Sequence, residues 1–203
     1  MPRLFNAHCG QLLVASFLSM NLMAGFVISQ ETQANKSKTP KSTDDKYDFS
    51  LTVSPEWKSA PLQGYTVPGV ARMAFTGDKG ASIVVFIQEP GKDYTPRFLV
   101  DESAKGMEKG LGAEVKLKEV RTVAGKQAMW MVVQGKGTGG AIDGKGAILT
   151  SQHWVAVPRE TDIVVFLLTS PTDEFARNAK SFEEALNTLV VGGKQSAGQS
   201  ESK

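Results

Sequence analysis

Several stretches of this chain alternate apolar and polar residues with the two-residue period of a strand that has one wet face. Tyr47, Phe49, Leu51 and Val53 interleave with Asp48, Ser50 and Thr52, which predicts a half-buried strand over Tyr47–Val53. Strands are predicted likewise at Val70–Phe75 and Ala81–Gln88, joined by Thr76-Gly77-Asp78-Lys79-Gly80, whose glycines and aspartate suit a hairpin turn. Two segments abandon the alternation: Ile83-Val84-Val85-Phe86-Ile87 and Ile163-Val164-Val165-Phe166-Leu167-Leu168 are apolar at every position. A strand apolar on both sides belongs in the middle of a sheet with one layer above it and another below.

Two helical patterns can supply those layers. Thr95-Pro96 offers an N-cap followed by proline at the first helical position, after which Val100, Ala104, Met107 and Leu111 recur at helical spacing. Gly106, Gly110 and Gly112 weaken the second half of that helix. Pro171-Thr172-Asp173-Glu174 starts the other with a cap and an acidic first turn, Phe175, Ala179, Phe182, Leu186 and Leu189 form its stripe, and Gly192 ends it. Between the helices, strands are predicted at Val115–Val123, Gln127–Gln134, Ala147–Val157 and Thr161–Leu168, with connections short enough to make neighbours antiparallel. The pattern as a whole predicts an α+β fold, an antiparallel sheet of six to seven strands flanked by helices.

The ends differ in character from this middle. Residues 1–29 carry Arg3 as their only charge, an apolar centre at Leu12–Leu18 and a second apolar patch at Leu22–Ile28, the layout of a secretory signal peptide. Val27-Ile28-Ser29 places small or β-branched side chains before a cut after Ser29, with Ala24 or Gly25 as an alternative cut. An uncleaved signal anchor is the competing reading, opposed by Ser16, Ser19 and Asn21 inside the apolar run. Residues 30–46 hold no large apolar side chain and read as a disordered polar linker, and residues 192–203 as a polar tail. That leaves residues 47–191 as one globular domain of about 145 residues, near the modal size. The expected location is secreted or periplasmic, with no stable membrane span after cleavage.

Charge and rare residues narrow the chemistry. With 23 Lys and Arg against 21 Asp and Glu, the chain lacks the basic excess that nucleic acid requires. Its only cysteine, Cys9, and one of its two histidines, His8, lie in the segment that cleavage removes. Disulfides, thiolate nucleophiles and cysteine-ligated metals then drop out, His153 is the only histidine left, and no cofactor is expected.

The remaining candidates each have a bland explanation. Gly139 and Gly144-Lys145 fall at the spacing of a phosphate-binding loop, but Gly146 stands where the magnesium-holding hydroxyl belongs, and the stretch Gly135–Gly146 joins two strands instead of opening a helix. It reads as a long hairpin loop suited to contacts, with Asp143 as the carboxylate to keep as a ligand candidate. His153 has no Gly-x-Ser-x-Gly nucleophile to serve and reads as a strand histidine making ordinary hydrogen bonds. Asp101-Glu102 and Glu183-Glu184 read as solvated helix faces. Trp130, between Met129 and Met131, reads as core, while Trp57 follows Pro55 at a strand end that suggests an edge or cleft, and Trp154 neighbours His153. The binding candidates are therefore Trp57, Gly139, Asp143, His153 and Trp154.

The order of elements, with Phe49-Ser50-Leu51-Thr52-Val53-Ser54-Pro55-Glu56-Trp57, Gly125-Lys126-Gln127-Ala128-Met129-Trp130 and the closing Phe182–Val191, resembles the PsbP-like family over residues 47–191. The resemblance implies the α/β/α sandwich shared by the photosystem oxygen-evolving enhancer protein, a Ran-binding nuclear import factor and many exported bacterial proteins. It implies action by binding proteins, and no shared catalytic set exists to carry over. The sequence thus points to an exported, non-enzymatic accessory module with a protein partner in the envelope. The alternative is a carrier holding a small apolar or lipid-like ligand between the sheet and the first helix, against Trp57 or Met107.

Overall fold

The centre of the molecule is a seven-stranded antiparallel sheet whose strands lie in the spatial order Lys58–Ser59, Val70–Thr76, Ser82–Gln88, Ile163–Pro171, Leu149–Pro158, Lys126–Lys136 and Glu114–Val123. A computed structural model describes residues 41–65, 67–89, 94–136 and 149–192. In chain order the elements are β1 (Lys41–Asp44), β2 (Phe49–Thr52), β3 (Lys58–Ser59), β4 (Val70–Thr76), β5 (Ser82–Gln88), α1 (Pro96–Leu111), β6 (Glu114–Val123), β7 (Lys126–Lys136), β8 (Leu149–Pro158), β9 (Ile163–Pro171), α2 (Phe175–Leu186) and β10 (Val190–Val191). The two all-apolar segments are the neighbouring strands β5 and β9, paired antiparallel from Ser82↔Thr169 to Gln88↔Ile163.

Because side chains alternate across a strand, this central pair feeds two separate cores. Phe86, Val165 and Leu167 face one side, where Leu99, Val100, Ala104 and Met107 of α1 pack with Met129, Met131 and Trp154. Ile83, Val85, Ile87, Val164, Phe166 and Leu168 face the other, where α2 contributes Phe182, Ala185 and Leu186. Helix α1 forms as its sequence predicts: the Thr95 hydroxyl accepts the Phe98 N–H, and Gly112 closes it in the left-handed conformation.

Three expectations need correction. The strand predicted at Tyr47–Val53 shortens to β2 and leaves the main sheet, forming a separate three-stranded sheet, β1-β2-β10, on the α2 side. Lys41–Asp44, assigned to the polar linker, is a strand of that sheet, ordered by backbone pairing from Lys41↔Thr52 to Asp44↔Phe49 and not by burial of large apolar groups. The second helix ends at Leu186, not Gly192, because Val190 and Val191 pair with Ser50 and Phe49. Its predicted acidic cap is also absent: β9 runs on to Pro171, and Glu174 precedes the helix without a side-chain capping bond.

Trp57 ties the α2 layer together. Its indole N–H donates to the Ser181 hydroxyl of α2 at 2.8 Å, and a Cβ on Gly77 would stand 2.8 Å from its ring. The β6–β7 turn is less well suited to its sequence. Ala124 and Gly125 both have positive φ, 48° and 73°, as a two-residue primed hairpin turn demands, and alanine is a poor residue for that region. Ala124→Asn should raise unfolding free energy by about 1 kcal/mol in urea titrations, by relieving the left-handed strain of alanine; an unchanged or lower midpoint would count against the turn assignment.

Candidate functional site

His153 sits on the α2 face of β8, with only 2% of its surface exposed. The ring lies among aromatic neighbours: Trp130 of β7 at 4.9 Å between centroids, Phe182 at 5.3 Å and Phe175 at 6.2 Å, the last two from α2. Among the described residues, neither nitrogen of His153 has a hydrogen-bond partner, and neither has Nε1 of Trp130. The ordinary hydrogen bonding expected of this histidine is therefore not what the fold provides. Its neighbours are aromatic faces and edges, which pack against the imidazole without accepting its proton.

One cation lies close by. The Arg121 guanidinium of β6 stands 4.4 Å from the Trp130 ring centroid, pairs with Glu119, and reaches within 3.9 Å of Glu183 on α2. Burial first, and then the charge of Arg121, lowers the His153 pKa to about 4, so the ring is neutral near pH 7. Among the described residues no carboxylate hydrogen-bonds His153 to orient it as a general base.

The other sequence candidates do not gather around it. Trp57 lies in the same α2-side core but is spent on Ser181, so the expected edge or cleft position is instead core. Trp154 belongs to the opposite, α1-side core, edge-on to Phe86, with its indole N–H donated to Gln152. Trp130 is core, as expected. Gly139 and Asp143 lie outside the described residues. Met107 packs under α1 and Trp57 under α2, so the two side chains named for an apolar pocket line different layers. Asp101 and Glu102 pair with Lys118 and Lys105 at the surface. Among the described residues, no three His, Cys, Asp or Glu side chains converge to hold a metal ion, and no helix is long and apolar enough to cross a membrane.

Two other features stand out in space. At the junction of the two sheets, Arg159 pairs in a two-pronged fashion with Asp162, at 2.6 and 2.7 Å, and donates to the Tyr47 carbonyl. Arg72 and Arg159 both approach the Tyr47 ring, and Arg72 bonds Asp44 at 2.6 Å. Burial pushes the Asp44 carboxyl up, but Arg72 and the Tyr47 N–H outweigh it and hold the group below the ordinary carboxylate range. The second feature is apolar and wet. Phe98, on the first turn of α1, is 45% exposed and packs edge-on against Tyr94; Val70 is also exposed but stands apart from it, in register with Ile87 on the α2 side of the sheet. Helical spacing carries a signal for it: Phe98 precedes Val100 by two positions, about 200° around the helix, and so falls off the buried stripe.

The sealed histidine has a measurable consequence. A ring with pKa near 6.5 unfolded and about 4 folded is protonated first in the unfolded chain. Stability should therefore fall as pH drops from about 6.5 to about 4, by on the order of 3 kcal/mol from this group. Urea titrations of the wild type and of His153→Leu across that window should show the slope flattened in the variant; equal slopes would remove His153 as the cause.

No family model matches the chain, and no curated protein matches its sequence. Solved structures do match. The solution structure of cyanobacterial PsbP (CyanoP) from Synechocystis superposes with a TM-score of 0.58 at 14% identity, covering 81% of this chain and 99% of that one. The Saccharomyces cerevisiae Ran-binding protein Mog1p gives 0.52 at 13%, covering 78% and 97%. LpqN, involved in cell envelope biogenesis of Mycobacterium tuberculosis, gives 0.51 at 15%, covering 75% and 90%. A seven-stranded antiparallel sheet between a helix on one face and a helix with a small sheet on the other is the fold this chain shares with the PsbP and Mog1p structures.

Proposed function

We propose that this protein is an exported, non-enzymatic accessory module that works by protein–protein contact. The observation that carries the reading is the aromatic pair at the start of α1: Phe98 and Tyr94 pack edge-on, and 45% of Phe98 faces solvent. Large aromatic side chains left wet on a folded domain are the usual anchors of protein contacts.

The polar chemistry supports the same reading. His153 is caged by aromatic rings, and Arg159, Arg72, Lys118 and Arg121 are each engaged by a carboxylate of the chain itself. The similar structures are compatible with it, since Mog1p is a Ran-binding protein and LpqN takes part in envelope biogenesis. The export half of the proposal rests on residues 1–29, with their single charge at Arg3 and their apolar centre.

The test is capture of partners from the native envelope after mild cross-linking, comparing wild type with a Phe98→Asp variant. Loss of the enriched partner from a variant with unchanged circular dichroism is the expected result. Undiminished capture by the variant overturns the surface, and recovery of a lipid or metabolite with no protein overturns the reading itself.

A further inference from the structure

β6 is a ten-residue strand at the edge of the main sheet, and among the described residues nothing pairs with its outer side. From its geometry we infer that this edge pairs antiparallel with the same edge of a second copy, centred on Val120. The proposal goes beyond the partner contact at α1 and does not depend on it.

The backbone sets which residues can take part. The two-residue turn at Ala124-Gly125 makes Val123↔Lys126 the closing hydrogen-bonded pair of the β6–β7 hairpin. Groups alternate along the strand, so the N–H and C=O of Val123, Arg121 and Glu119 point toward β7, and those of Thr122, Val120 and Lys118 point outward. A copy related by a twofold axis normal to the sheet can thus exchange both hydrogen bonds between Val120 and its counterpart, and between each Lys118 and the partner's Thr122.

The side chains choose this register over its neighbours. Centring the axis on Val120 opposes Glu119 to the partner's Arg121 and Arg121 to the partner's Glu119. It also opposes Leu117 to the partner's Val123. These are the closely spaced, non-hydrogen-bonded positions, where cross-strand pairs interact most strongly. Registers centred on Lys118, Glu119 or Arg121 instead set a like charge against itself. Val120, 46% exposed in the single chain, comes to face its own copy. Edge strands are commonly guarded by charges and bulges, and here both guards have a place. The bulge between Val115 and Leu117 ends the flat segment, while Glu119 and Arg121 become complementary to each other under twofold symmetry.

The purified full chain, followed by sedimentation velocity, should pass from monomer to dimer between about 10 μM and 1 mM, the weak range expected of a small interface. Val120→Pro removes only an outward N–H, so it should keep the circular dichroism of the wild type and remain monomeric. Glu119→Arg should weaken the dimer about tenfold, and Glu119→Arg with Arg121→Glu should restore it to within about twofold, a rescue that association through any other segment cannot produce. A wild type that stays monomeric at 1 mM, a dimer no weaker when Glu119 is reversed, or a double reversal without rescue overturns the proposal.

Discussion

Two adjacent strands that are apolar on both faces cannot be left half covered, and the rest of this architecture answers that constraint. β5 and β9 pair along seven positions in the middle of the sheet, presenting Phe86, Val165 and Leu167 to one side and Ile83, Val85 and Phe166 to the other. One helix covers the first side. The second needs more than α2, since the small sheet β1-β2-β10 brings Phe49 edge-on to Phe166 and extends the cover that the helix begins. A core divided in this way has no single centre; each half depends on the shared strands for its floor.

Polar groups are used where the two sheets meet. Arg159 and Asp162 are almost fully buried, with 4% and 1% of their side chains exposed. Burying such a pair is costly unless its remaining donors are satisfied, and the Tyr47 carbonyl takes one of them. The result fixes the β8–β9 turn to the segment between β1 and β2, and Arg72 with Asp44 repeats the arrangement beside it. His153 shows the opposite choice. It occupies a core position with its polar atoms unpartnered among the described residues, so the site holds an uncharged ring in an aromatic cage and gains packing at the expense of hydrogen bonding.

Much of the fold was legible because strong periodicity reports burial directly. The doubly apolar runs predicted the central strands, and Thr95-Pro96 with its stripe predicted α1 to its first residue. What escaped prediction was built from backbone and long-range pairing. Lys41–Asp44 has no apolar pattern at all, and Val190–Val191 is too short to show one; both are strands only because β2 lies between them. The candidate residues fared according to whether chemistry or position was being read. Trp57 and Trp154, read together as binding candidates, fall in different cores, because which face a residue takes depends on the register and sheet of its segment. Phe98 was visible as a residue out of phase with its helix, and the Tyr47, Arg72 and Arg159 cluster was not, since its members are brought together only by the closed fold.

The order of strands in space also governs when the molecule can acquire structure. β5 pairs with β4 at once but finds its second partner, β9, only roughly eighty residues later, and β2 is completed by β10 near the last described residue. A nascent chain that has not yet yielded Ile163 holds β4–β5 and β6–β8 as two separate pieces with their common centre missing, and each leaves apolar surface uncovered. Neither sheet can close before β9 and β10 have been made, so the strands at the centre of the fold wait on two of its latest elements.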